Sequence, residues 1–237
     1  MMENIMSKEL YSEGKYLENN PTWHLEDSPW KAQQIIKMIE KNNLQPNAVG
    51  EIGCGAGGIL DNLHSQMSEN IMFHGFEISP QAWELCQQRK KERLQFYSTD
   101  LLQNESMFFD LVLCIDVFEH IEDYFSFLRK LKAKAKYKLF HIPLDLSVSS
   151  VLRSSPILYA RQKVGHIHYF SKETALATLK DTGYEIIDLF YTGSSLELPT
   201  KSLKTLLARV PRKIMYTLNS DLTVRLMGGY SLMVLTQ

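Results

Sequence analysis

The chain has 237 residues, 44% of them hydrophobic and 22% charged, with a net charge of −1 at pH 7. Such a chain can bury a sizeable core and has the composition of an ordinary globular protein. The balanced charge removes any global attraction to nucleic acid or to an acidic partner.

Residues 1–10 lack the apolar core of a signal peptide, and no apolar run approaches the roughly 20 residues of a membrane helix. A cytoplasmic protein without a membrane span is expected, a monomer or a homodimer. Residues 11–30 are polar yet carry Tyr11, Tyr16, Trp23, His24 and Trp30, which suits a lid that closes over a ligand. Ser28 as N-cap, Pro29 at the first helical position and Ile35, Ile36 and Ile39 at helical spacing predict a helix over 29–43. A strand at 48–53 then leads into Gly53, Gly55, Gly57 and Gly58 and a helix over 57–67. A strand at 71–78, a helix at 80–92 and a short strand at 94–98 follow. Residues 110–116 are nearly unbroken apolar, as a central parallel strand buried on both faces requires. A helix at 121–134 and a strand at 137–143 complete the repeat. Residues 144–170 read as an irregular insertion and 171–182 as a helix. Residues 184–191 and 230–235 alternate like strands with 193–228 between them, and within that stretch 196–226, a basic run holding Lys201, Lys204, Arg209, Arg212, Lys213 and Arg225, reads as a packed helical cover with a solvated basic side.

About five β-α repeats with short connections predict an α/β fold, a doubly wound and mostly parallel sheet. Ligands bind such sheets at the carboxyl ends of the strands, where strand order reverses. Gly53, Glu77, Asp100 and Asp116 all fall at strand ends. Gly53-x-Gly55-x-x-Gly58 by itself also satisfies a dinucleotide fingerprint, so an NAD(P)-dependent oxidoreductase is the rival enzyme reading. Against it, Glu51 places a carboxylate just before the turn, where it repels a pyrophosphate and attracts an ammonium group. Asp100-Leu101 offers an acid and a backbone N–H suited to an adenine amine and ring nitrogen. Cys54, Cys86 and Cys114 show no CxxC spacing and read as buried thiols of a reducing compartment.

These motifs together resemble a class I S-adenosylmethionine-dependent methyltransferase of the small-molecule group that includes quinone-biosynthesis enzymes. The likeness rests on Glu-Ile-Gly-Cys-Gly-Ala-Gly from Glu51, Phe-Glu-Ile-Ser from Phe76, Ser-Thr-Asp-Leu from Ser98, and Asp116-Val-Phe-Glu-His120 with the strand before it. It implies a Rossmann-like sheet with an antiparallel C-terminal strand and helices on both faces, in one domain over 1–237. Residues 1–45 would form a lead-in and 48–143 the cofactor core, with 144–170 and 193–228 as insertions covering the acceptor. Glu51 would face the methionine ammonium of S-adenosylmethionine, with Gly53 and Gly55 under the methionine part. Glu77 would hold the ribose diol, Asp100 and Leu101 would read adenine, and Ile115, Asp116 and Val117 would flank the methionyl chain. Cys54 and Ile78, beside them, complete the cofactor-binding set. A scaffold that binds the cofactor without transfer is the non-enzyme alternative.

The acceptor is expected to be a small or carrier-bound molecule, methylated on oxygen, nitrogen or carbon. A general base is needed only when the acceptor loses its proton late, as a hydroxyl does. His120 and His168 are the candidates for that role, and Trp23, His24, His166 and Tyr169 for acceptor binding. His166 and His168, two apart, are expected to share one surface of a lid. His141 reads as a buried strand residue. No metal site is expected, because the histidines have no ligand-like spacing along the chain.

Overall fold

The computed structural model describes residues 20, 22–198 and 203–237. Residues 11–19 and 21, most of the expected lid, lie outside them, as does Lys201 of the basic run.

Seven strands form one sheet in the order β3-β2-β1-β4-β5-β7-β6. They are β1 (Ala48–Ile52), β2 (Met72–Phe76), β3 (Leu94–Tyr97), β4 (Phe109–Ile115), β5 (Ala135–Pro143), β6 (Ile186–Thr192) and β7 (Ser231–Thr236). The first five pair in parallel, whereas β7 runs antiparallel to both β5 and β6. Strand order reverses between β1 and β4, so the crevice expected of a doubly wound sheet opens at their carboxyl ends. The predicted mostly parallel sheet with an antiparallel C-terminal strand is the observed one.

Side chains of β4 alternate between two cores, which explains its unbroken apolar run. Leu111, Leu113 and Ile115 join α1 (Ser28–Lys41) and α2 (Gly58–Gln66) on one face. Val112 and Cys114 join α4 (Tyr124–Lys132) and α7 (Lys172–Asp181) on the other, α3 being Pro80–Gln87. Each fully buried leucine, such as Leu113 or Leu131, contributes roughly 1.5–3 kcal/mol. All three cysteines are free and buried, as expected.

Boundaries differ from the predicted ones at three helices. The N-cap before α1 is Asp27, and Ser28 is already helical. Helix α3 stops at Gln87, because Lys91 and Leu94 turn the chain back through a pair of backbone hydrogen bonds. Helix α4 begins at Tyr124, where Asp123 accepts the Ser126 N–H; residues 118–120 form a separate 3-10 turn.

The insertions are more regular than predicted. Residues 148–164 hold α5 (Val148–Arg153), α6 (Ser155–Tyr159) and a π turn, with Ser147 and Ser150 forming a capping box. The second cover holds α8 (Ser194–Glu197), α9 (Leu203–Leu218) and α10 (Ser220–Met227). The apolar side of α9 is not packed as expected: Leu206, Leu207, Val210, Ile214 and Leu218 are all exposed. No helix among the described residues is long and apolar enough to cross a membrane.

Candidate active site

The turn after β1 requires glycine. Gly53, Gly55 and Gly57 all have positive φ, and a Cβ on Gly57 would stand 2.6 Å from Phe96 Cζ. The Gly53 and Cys54 amides both donate to Phe76 O, tying the turn to the end of β2. Glu77, next along, is buried and accepts Gly55 N–H at 2.8 Å on one oxygen and Ser79 N–H at 2.7 Å on the other. Burial raises its pKa against the pull of those amides. Val117 packs on the same turn, with a methyl 3.0 Å from where a Cβ of Gly53 would stand. The lead-in lies there too: Trp23 Cε3 is 3.8 Å from the equivalent point on Gly55. Burial, then the charge of Lys31, lowers the pKa of His24 beside it.

Two acids at the carboxyl ends of β1 and β4 are treated differently. Glu51 is 1% exposed, and its Oε2 makes no hydrogen bond among the described residues. Burial pushes its pKa well up, and the nearby Lys31 charge offsets only part of that. Asp116, at a left-handed φ of 55°, is instead fully matched. Lys31 Nζ reaches its Oδ2 at 2.6 Å, and His141 Nδ1 donates to its Oδ1 at 2.6 Å. His141 Nε2 lies 2.8 Å from Thr192 Oγ1, and Trp30 meets the imidazole edge-on at 6.1 Å. Burial alone would raise the Asp116 pKa, but His141 and Lys31 hold it well below the carboxylate range.

Toward the adenine end, Asp100 caps a short turn by accepting Leu102 N–H at 2.9 Å, with Leu101 fully buried behind it. Ile78 is 70% exposed, an unusual state for an isoleucine beside a buried glutamate. Ile115 is buried in the sheet.

A third group lies just beyond Asp116. Glu119, His120 and His166 bring ligand-type atoms within 4.8 Å of one another. His120 Nδ1 lies 3.0 Å from Gly165 O, and His166 Nδ1 lies 2.7 Å from Asp145 Oδ2. The Glu119 carbonyl accepts both Ile167 N–H and His168 N–H, fixing the 165–168 segment over the turn. Burial, then Asp116, pushes the Glu119 pKa up to about 8. Burial, then His166, lowers that of His120 to about 3.

A family model described as "Methyltransferase domain" matches residues 25–189. The chain belongs to that family. A curated relative, the ubiquinone biosynthesis O-methyltransferase of Actinobacillus pleuropneumoniae, is 24% identical over 152 residues. That match spans 57% of this chain and 62% of the relative, less than two thirds of its length. Among solved structures, the magnesium protoporphyrin IX methyltransferase of Synechocystis PCC 6803, with bound SAH, aligns at TM-score 0.62 and 15% identity over 98% of both chains. The plantazolicin methyltransferase BpumL, in complex with a monoazolic desmethylPZN analog and SAH, aligns at TM-score 0.61 and 17% identity over 98% of this chain and 93% of its own. These two likenesses are ones of fold.

The fold gathers part of the set picked from the sequence around the glycine turn. Glu51, Gly53, Cys54, Gly55, Glu77 and Val117 lie at one turn, with Trp23 laid over it. One expectation fails on geometry. His166 and His168 do not share a surface: His166 turns to His120 at 4.9 Å between ring centroids, while His168 meets Tyr124 edge-on at 4.5 Å. Burial, with the neighbouring His166, keeps the His120 imidazole neutral, and its Nδ1 is turned to Gly165 O. Tyr169 turns back on its own segment, donating to His166 O at 3.1 Å. Sequence reasoning missed Lys31, Asp145 and Glu119. Glu119 stood inside a quoted motif, whereas nothing in the sequence marks Lys31 or Asp145 apart from any other polar residue.

Proposed function

We propose that this protein transfers the methyl group of S-adenosylmethionine to an oxygen of a small-molecule or carrier-bound acceptor. The observation that carries the cofactor assignment is Glu51: a buried carboxyl, with one oxygen lacking a partner among the described residues, beside a glycine turn. An ammonium group supplies the missing charge and donors, whereas a dinucleotide pyrophosphate would add repulsion. The residues present fit the cofactor. Glu51 would hold its ammonium, Gly53 and Gly55 would admit its methionyl part, and Glu77 would accept from its ribose hydroxyls. A carboxylate that already takes two N–H donors still has lone pairs for a diol. Asp100 and the Leu101 N–H would read adenine against the exposed Ile78.

When bound, the cofactor supplies a methyl group already activated by a positive sulfur. The protein's contribution is then mostly positioning, worth roughly 7–11 kcal/mol in well-oriented reactions. Asp116 serves that purpose, since Lys31 and His141 lock its strained turn at the end of β4. Residues 48–143 hold the cofactor in this reading, and 144–170 with 193–228 shape the acceptor cavity. Oxygen is favoured as acceptor atom by the O-methyltransferase relative and by the carboxyl-imidazole group beside the turn.

The test is calorimetric titration of the purified chain with S-adenosylhomocysteine and with NAD, followed by methyl transfer from labelled S-adenosylmethionine to a panel of phenols, amines and thiols. Micromolar binding of S-adenosylhomocysteine with no NAD binding, and label in an ether linkage, is expected. NAD binding alone would overturn the cofactor, and label only in amine products would overturn the acceptor atom.

A further inference from the structure

Resting on the methyltransferase reading, we propose that the helical cover of the sheet is a docking surface for an acidic carrier protein, which delivers the acceptor as a thioester on its arm. The cover consists of residues 148–164 and 203–227. Both segments leave the sheet on the side of the crevice. One follows β5, and the other joins the end of β6 to the start of β7. They meet where Ser149 Oγ donates to Met227 O at 2.8 Å, joining α5 to α10.

Three features point to a protein partner of negative charge. First, the apolar side chains of the cover face water. Twelve of the sixteen large apolar side chains exposed among the described residues lie on these two segments, with Leu152, Leu207 and Leu218 at 77–81% exposure. Single exposed leucines are ordinary, but a patch of them marks an interaction surface. Second, the near-neutral chain hides a local imbalance. The two segments carry eight basic residues and one acid, Asp221, a net charge of +7 that leaves −8 to the rest of the chain. Asp221 and Arg225 pair with Lys172 and Glu173 of α7, so all of that surplus lies on the other cover residues. Such a surface draws an acidic partner and repels the same face of a second copy. Third, the basic residues are of the kind used between proteins. Five of the eight arginines of the chain lie here, against only three of its eighteen lysines. Arginine is enriched and lysine depleted where proteins meet. The cover also holds neither tryptophan nor phenylalanine, the anchors that helices lying in a lipid surface add to leucine.

A carrier protein combines a carboxylate-rich helix with a flexible arm. Docked on this cover it stands over the crevice, and the arm leads the tethered acceptor in toward the glycine turn. A freely diffusing acceptor needs no such surface. The thioester stays intact, since only the acceptor's own oxygen is methylated.

The test measures binding of the full chain to an acyl carrier protein and to a peptidyl carrier domain, each charged with a 2-hydroxybenzoyl thioester. Calorimetry is run at about 50 mM and about 500 mM salt, with S-adenosylhomocysteine affinity and thermal unfolding read on the same samples. Wild type should bind a carrier, about 10-fold more weakly at the higher salt. Arg161→Glu with Lys213→Glu, and separately Leu207→Ser with Leu218→Ser, should each weaken carrier binding by at least about 10-fold. All four side chains are exposed, so unfolding should be unchanged and S-adenosylhomocysteine affinity should stay within about 2-fold. Phosphatidylglycerol vesicles and sedimentation of the chain alone test the other occupants. Failure to bind either carrier, binding unchanged in both variants, tighter binding to vesicles, or self-association lost in the leucine variant each overturns the surface. Should S-adenosylhomocysteine bind in any of those cases, the methyltransferase reading stands. Carrier binding without S-adenosylhomocysteine binding overturns that reading and leaves the docking surface standing.

Discussion

Glu51 and Asp116 stand at the carboxyl ends of neighbouring strands, and the fold resolves their charges in opposite ways. Asp116 receives a lysine from α1 and a histidine from β5, so it stays ionised inside the protein. Glu51 is buried more deeply, yet the only ion pair of Lys31 among the described residues goes to Asp116. Burial therefore keeps the Glu51 carboxyl neutral well above its ordinary range. The difference separates an acid that the chain uses for its own structure from one that a ligand must complete. Sequence position does not distinguish them, because both follow apolar strands and both match family motifs.

Breaking the matched acid should have the largest effect. Lys31→Met removes one partner and leaves Asp116 buried at a strained φ. Loss of one member of a fully buried pair costs about 3–5 kcal/mol. Here the Lys31 and Asp116 side chains keep 17% and 21% exposure, so about 2–4 kcal/mol is expected. Chemical denaturation at pH 7 reads it directly. A variant as stable as wild type would show that His141 alone secures Asp116.

Sharpening the unmatched acid should give the opposite pattern. Glu51→Gln should weaken S-adenosylhomocysteine binding by about 2–3 kcal/mol, the worth of a charge-assisted contact. The apo protein should not suffer. The folded-state pKa of Glu51 is raised, whereas the unfolded chain releases its proton near the ordinary value of 4.5. Its contribution to stability is therefore complete below about pH 4.5 and falls as pH rises toward the folded value. The glutamine variant lacks that fall, so its stability relative to wild type should grow between pH 5 and pH 8. A constant difference across that range would mean that Glu51 is ionised in the apo fold.

The parts of the molecule legible in advance were those written in local pattern. β4 announced itself by an apolar run that only a strand buried on both faces requires, and the glycine turn by positions where a Cβ collides with Phe96. What stayed hidden depends on pairing across the chain. Lys31 reaches Asp116 from 85 positions away, and Asp145 orients His166 from the loop after β5. The exposed apolar side of α9 was hidden for the converse reason. Amphipathic spacing gives the apolar side of a helix but not whether a neighbour arrives to cover it.

Glu77 lies between the two extremes, since its oxygens are already met by the Gly55 and Ser79 amides. Replacing it with alanine would strip those amides and disturb the turn along with the ribose contact. Glu77→Gln keeps one acceptor oxygen and the shape, so it isolates the ligand's share. S-adenosylhomocysteine affinity should fall by about 1–2 kcal/mol, with unfolding shifted by less than that. Equal losses in affinity and in stability would assign Glu77 to the turn alone.

The smallest effect should come from Ile78, which follows Glu77 and stands 70% exposed. A large aliphatic side chain left in water there gains nothing for the apo fold, so Ile78→Ala should leave unfolding unchanged within about 0.5 kcal/mol. If adenine lies against it, binding covers some tens of Å2 of apolar surface, worth about 1 kcal/mol at roughly 25 cal/mol per Å2. S-adenosylhomocysteine should then bind the variant about five-fold more weakly, while free methionine, which lacks the base, competes equally well with both proteins. A variant that loses affinity for both ligands alike would place the effect in the turn. An unchanged affinity for S-adenosylhomocysteine would remove Ile78 from the adenine contact and leave Asp100 and Leu101 to define that end of the site.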